Sequence, residues 1–109
     1  MKKKFICNKK EIDLIFKFKK KVKNYFFILY FFKNENLENF KFALSISKKY
    51  GKAHERNLIK RRIRMIIYNN ISFISKNILF ILVIKPAAKE LDFVNLEKKF
   101  LVLIQKTFY

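Results

Sequence analysis

Residues 42–64 read FALSISKKYGKAHERNLIKRRIR, and the period of their apolar positions changes once along the stretch. From Lys41 to Ser47, Phe42, Leu44 and Ile46 fall on alternate positions with small or polar residues between them, as in a half-buried β-strand. From Ala53 to about Asn69, Ile59, Ile63, Ile66 and Ile67 recur three or four apart, which is the period of an amphipathic helix. Gly51, the chain's single glycine, stands between the two patterns and predicts a turn or a close backbone approach just before the helix. A strand feeding a helix in this way calls for a sheet with helices packed on it.

The flanks agree. Asn8 followed by Glu11 has the spacing of a capping box, and Ile12, Ile15 and Phe16 then mark a short first helix to about Phe18. Lys17–Lys23 reads as a basic connection, and Tyr25–Phe32, YFFILYFF, as a strand covered at least in part on both faces or with one face meeting a ligand. Residues 33–40 form a polar turn. Asn77–Lys85 is a buried strand ended by Pro86, and the acidic KELDF opens a last helix whose buried stripe is Leu96, Phe100, Leu103 and Ile104. The order is helix, two strands, helix, strand, helix, with a further short strand that the pattern does not place. The class is α+β: one domain over residues 1–109, a small sheet packed with about three helices.

At 109 residues the chain suits one core, and 51% apolar against 31% charged residues, with one glycine and one proline, argues for a compact fold and against disorder. A net charge of +18 is far more than solubility requires and points to a polyanion, nucleic acid before an anionic membrane. The apolar runs YFFILYFF and ILFILVI are of strand length, well short of the roughly 18 residues that a spanning helix needs. The start, MKKKFICNKKEID, has a basic head without the apolar middle of a signal peptide. With Cys7 as the only cysteine, no intrachain disulfide or cysteine metal cluster can form, which suits a reducing cytoplasm.

All the arginines of this lysine-rich chain, Arg56, Arg61, Arg62 and Arg64, lie in the one helix. With Ile59 set at zero on a helical wheel, the buried isoleucines span about −20° to +80°, and Arg56, Lys60, Arg64, Asn57 and Arg61 span about 60° to 200°. Arg62 lies elsewhere. The stripe borders the apolar arc, so its cations stand beside the sheet. A solvated charged face is the plain reading of such a helix, but Glu55 is the only acid between Phe40 and Ala88, and the ion pairs of a solvated face are nearly absent. Guanidinium groups grip phosphates bidentately and stack on bases, so the stripe is a candidate nucleic-acid contact, extended by Ser45, Ser47, Lys48, Lys49 and Lys52. His54 has no catalytic neighbours in sequence, and the eight acids form no cluster suited to Mg²⁺ or to acid/base chemistry, so neither catalytic nor metal-ligating residues are expected. Along 25–32, alternation puts Phe26, Ile28, Tyr30 and Phe32 on one face and Tyr25, Phe27, Leu29 and Phe31 on the other. For Phe26 and Tyr30 two readings stay open, core packing and a stacking platform for unpaired bases.

Leu44-Ser45-Ile46-Ser47-Lys48-Lys49, Gly51, Ala53 and the block Arg56-Asn57-Leu58-Ile59-Lys60-Arg61-Arg62-Ile63-Arg64 together resemble the bacterial ribonuclease P protein component. The likeness extends to Phe16 in the first helix, to NYFFILY at 24–30 and to Lys85-Pro86-Ala87. It departs at Leu58, often basic in the family; at Ala43 and within Phe18–Lys20, where glycine is usual; and at Phe26, often polar. The resemblance implies a mixed sheet with a left-handed βαβ crossover, the ribosomal protein S5 domain 2-like fold. It implies the protein subunit of the enzyme that removes the 5′ leader of precursor tRNA, one protein with one ribonuclease P RNA. Catalysis would rest with that RNA and with Mg²⁺ bound mainly by it. Arg56, Asn57, Lys60, Arg61 and Arg64, with Lys48, Lys49 and Lys52 nearby, would contact the catalytic RNA; Phe16, Ile28 and Tyr30, joined by Phe26, would line a groove for the leader. The alternative is a ribosomal-type or general RNA-binding protein with no part in tRNA processing.

Overall fold

The computed structural model describes residues 3–108. Helix α1 spans Lys9–Phe18 and opens on a reciprocal cap: Glu11 N–H donates to Asn8 Oδ1 at 2.9 Å, and Asn8 N–H donates to the Glu11 carboxylate at 2.8 Å. It ends at Lys19, whose φ of 54° and ψ of 18° are left-handed. The chain then turns into β1, Lys21–Lys23. This is the short strand that the sequence left unplaced, and it lies inside the stretch read as a basic connection. Three residues with one apolar position are too few to show a period.

Strand β2 covers Phe27–Lys33, β3 Lys41–Ile46, helix α2 Ala53–Asn69, β4 Ile78–Ile84 and helix α3 Phe93–Lys106. The sheet order is β1-β2-β4-β3, with β2 antiparallel to both β1 and β4, and β3 parallel to β4. The parallel pair is joined through α2, because only a crossover can return the chain to the same end of the sheet.

β4 is apolar throughout because both its faces are covered. Phe80, Leu82 and Ile84 join Phe27, Leu29, Phe31 and Phe42 in the main core, closed by Ile59, Ile63, Ile66 and Ile67 of α2 and by Leu96, Phe100, Leu103 and Ile104 of α3. Both helical stripes lie where their spacing puts them. Leu79 and Ile81 face the other way, into a smaller cluster with Cys7 and with Ile15 of α1.

Two element starts and the burial of one residue differ notably from the sequence reading. β2 begins at Phe27, not Tyr25, because Asn24 Oδ1 accepts the N–H groups of Phe26 and Phe27 at 2.9 and 2.8 Å and holds the chain in a bend. α3 begins at Phe93, where Asp92 accepts the Asn95 N–H, while Pro86–Glu90 forms a 3-10 turn. Phe40, assigned to a polar turn, is buried and stacks on Phe5 at 4.7 Å. Phe5 and the Ile6–Phe42 bridge tie the segment before α1 to the edge of β3, a long-range contact without a local signature.

A lysine in left-handed backbone carries a steric cost that glycine avoids. Lys19→Gly is therefore expected to stabilise the protein by about 0.5 kcal/mol after the extra freedom of the unfolded chain is offset, raising Tm by about 2–4 °C. A fall in Tm would show that Lys19 makes a compensating contact.

Candidate nucleic-acid interface

Burial of the four isoleucines fixes how α2 is rotated, and the rotation sets Lys60 and Arg64 beside the β3 edge of the sheet. Lys60 and Arg64 border a shallow depression of about 280 Å³ whose floor includes Cys7, Ile12, Phe42 and Ala43, so their charge sits over an apolar surface shared with α1. Asn57 and Arg61 are exposed on the same stripe. Arg56 is half-buried, with Nη1 donating to the Gly51 carbonyl at 2.8 Å; this orients the guanidinium and leaves its other N–H groups to face a ligand. Among the described residues the ion pairs are Lys41–Glu11 at 3.1 Å and Lys89–Glu55 at 2.7 Å, so no arginine is neutralised by a carboxylate.

Glu55, the one acid of α2, acts within the fold. Its Oε1 accepts the Lys52 N–H at 2.9 Å and its Oε2 pairs with Lys89. The hydrogen bond from Lys89, and after it the one from Lys52, holds this carboxyl below its usual pKa. Gly51 lies against the same carboxylate: a Cβ there would stand 2.6 Å from Oε1 and 3.1 Å from the Lys89 Nζ. The close approach expected at this glycine is thus an approach to a side chain. It secures the turn that carries Lys48, Lys49 and Lys52, all exposed, into the first turn of α2.

Arg62 points to the opposite flank of α2, beside a depression of about 240 Å³ bordered by Tyr50, His54 and Leu58. Cys7 is buried; burial first, and the Glu11 carboxylate second, pushes its thiol pKa up to about 12, so it stays protonated and unreactive.

The second surface is the α1 face of the sheet. Residues directly opposite in neighbouring strands share a face, and the register gives two rows: Lys21, Tyr30, Ile81 and Ala43, then Lys23, Ile28, Val83 and Ser45. α1 covers much of the first row and leaves the second more open. Phe16 projects from α1 at 44% exposure with its ring edge-on to Tyr30 at 5.2 Å, and Lys21 Nζ lies 5.6 Å from the Tyr30 ring centre. Phe16 thus meets Tyr30 on the same sheet face that carries Ile28, the three residues that the family resemblance assigns to a groove.

Phe26 does not join them. It lies before the strand begins, in the bend set by Asn24, and packs against the main core on the other face, with Lys99 of α3 5.8 Å from its ring centre. Strict alternation was extended one residue too far. Lys21, Lys23 and Val83 were missed; the two lysines become visible once β1 is recognised, since it aligns Lys21 with Tyr30 and Lys23 with Ile28.

Among the described residues no three His, Cys, Asp or Glu side chains gather to hold a metal ion, and no helix is long and apolar enough to cross a membrane.

The sequence family described as Ribonuclease P matches residues 1–107. The ribonuclease P protein component of Phytoplasma australiense is 52% identical over 101 residues, covering 92% of this chain and 88% of that protein. Its counterpart from Onion yellows phytoplasma is 49% identical over 108 residues, covering 98% and 77%. A structure of a Staphylococcus aureus RNase P protein mutant superposes with a TM-score of 0.88 at 28% identity, covering 98% of this chain and 91% of that one. The RNase P protein from Thermotoga maritima gives 0.80 at 28% identity, covering 87% and 89%.

The lowered carboxyl pKa of Glu55 carries a linked stability effect. A depressed folded-state pKa stabilises above the unfolded value and loses that contribution as pH falls through the folded one. Glu55→Gln should therefore lower Tm at pH 7, and the gap to wild type should close on acidification below about pH 4. A gap that stays constant from neutral to acid pH would contradict the ionised clamp.

Proposed function

The chain belongs to the ribonuclease P protein component family, and from that membership we propose how its two surfaces divide the work of one RNA-processing enzyme. It is a subunit of ribonuclease P and an RNA-binding protein of tRNA processing. In our reading it works in the cytoplasm as one protein with one RNA, and the RNA subunit carries out the hydrolysis that removes the 5′ leader of precursor tRNA. The Mg²⁺ used would be held chiefly by RNA oxygens.

Arg56, Asn57, Lys60, Arg61 and Arg64 dock α2 on the catalytic RNA, and Lys48, Lys49 and Lys52 extend the contact over neighbouring phosphates. The observation that carries this assignment is the arginine stripe without a carboxylate partner among the described residues, with Lys60 and Arg64 standing beside the β3 edge. Paired guanidiniums would have to break an ion pair before gripping a phosphate; unpaired ones release only counterions and water, and their binding weakens as salt rises. The groove between α1 and the sheet takes the single-stranded leader. Phe16, Tyr30 and Ile28 offer apolar and aromatic surface to unpaired bases, and Lys21 and Lys23 lie along its β1 side for the phosphates.

Cleavage of a 5′-extended precursor tRNA by a bacterial ribonuclease P RNA at low Mg²⁺, with and without the protein, tests the reading. Stimulated cleavage at the mature 5′ end is expected; RNA binding without stimulation by a cognate RNA would leave a general RNA-binding protein. Arg56→Ala and Arg64→Ala should each weaken binding to the catalytic RNA and reduce the slope of log K against log salt by about 1. Unchanged affinity in both variants would remove α2 from the interface.

A further inference from the structure

Tyr25 is the most exposed large aromatic residue among those described, at 70%. It sits in a bend that is held from three sides. Asn24 Oδ1 accepts the N–H groups of Phe26 and Phe27, Lys85 Nζ donates to the Asn24 carbonyl at 3.0 Å, and Asn24 Nδ2 reaches the Lys99 carbonyl at 3.4 Å. The ring of Phe26 meets that of Tyr25 edge-on at 5.3 Å, while Phe26 itself packs on the core. The phenol is thus mounted on a rigid support and faces solvent. Around it the charge is of one sign: Lys23 precedes it in the chain, Lys85 holds the bend, and Lys99 lies over Phe26. No carboxylate pairs with these lysines among the described residues.

We propose that Tyr25 is a second stacking platform for the leader, taking an unpaired base beyond the α1 groove while Lys23 and Lys99 attract the flanking phosphates. The proposal rests on the reading of that groove as the leader site. Continuity is what favours the leader over another RNA segment: Lys23 stands directly opposite Ile28 in the β1–β2 ladder, so the open row of the groove ends one residue from the bend. A strand laid along the row Ser45, Val83, Ile28 and Lys23 leaves the sheet beside Tyr25. Stacking needs an unpaired base, which a single-stranded leader supplies and a folded RNA surface mostly does not. Phe26, for which a stacking role had been one reading, becomes the buttress of this platform.

The test is equilibrium binding of the reconstituted protein–RNA enzyme to precursor tRNAs with leaders graded in length up to about ten nucleotides, within the range that single-strand-binding surfaces span. Wild type, Tyr25→Phe, Tyr25→Ala and Tyr30→Ala are compared, with circular dichroism confirming that each folds. Tyr25→Ala should weaken binding of the longer leaders about tenfold and leave the shortest unchanged, and Tyr25→Phe should bind as wild type does. A 2-aminopurine placed in the outer leader should be quenched by the wild-type enzyme and not by Tyr25→Ala. If Tyr30→Ala loses leader-dependent affinity and Tyr25→Ala does not, the platform is wrong and the groove stands. A Tyr25→Ala loss that is equal at every leader length would also overturn it. If wild type itself gains nothing from a leader, the groove reading fails and the platform with it.

Discussion

The pairing of β3 with β4 in parallel is the constraint from which the functional surfaces follow. Parallel neighbours cannot be closed by a tight turn, so the chain leaving β3 must cross the sheet before β4 can form. α2 is that crossing. Its isoleucines are drawn into the core by the hydrophobic effect, and once they are buried the helix has no freedom to rotate. The basic stripe is thereby fixed in orientation, with Lys60 and Arg64 beside the β3 edge. The sheet that buries the isoleucines also supplies the apolar floor beneath Lys60 and Arg64, so one packing decision sets both the core and the basic face.

The two sides of the sheet are loaded differently. α2 and α3 close one side completely, while α1 is short and leaves a row of the other side open. That asymmetry leaves an open row beside α1, the surface proposed above for the leader. The net charge of +18 opposes compaction, and the fold keeps most of it at the surface, where solvent screens it in the free protein and RNA phosphates can neutralise it in the complex. The few acids are spent locally: Glu11 caps α1 and pairs with Lys41, Glu55 clamps the turn before α2, and Asp92 caps α3. None of these is placed to compete with RNA for an arginine.

Much of this was legible from period and capping chemistry. Ile59, Ile63, Ile66 and Ile67 located α2, the Asn8–Glu11 spacing located α1, and the unbroken run at 78–84 marked a strand covered on both faces. What was not legible depends on contacts distant in sequence or on a single hydrogen bond. β1 is too short to carry a pattern, and Phe5 and Phe40 are buried through contacts with each other and with Tyr68, Phe42 and Phe80. Phe26 leaves its alternation because the Asn24 side chain competes for the backbone at that point. The basic stripe of the site was therefore readable from one helix, whereas the groove needed the β1–β2 register before Lys21 and Lys23 fell into place.

The most direct measurement is site-specific crosslinking in the assembled enzyme with precursor tRNA bound. The buried, protonated Cys7 allows a cysteine introduced at the surface to carry the photoreactive label alone. A label at Lys60→Cys should crosslink to the catalytic RNA, and a label at Ile28→Cys to the 5′ leader. Crosslinks from position 60 to the leader, or from position 28 to the catalytic RNA only, would contradict the division of the two surfaces.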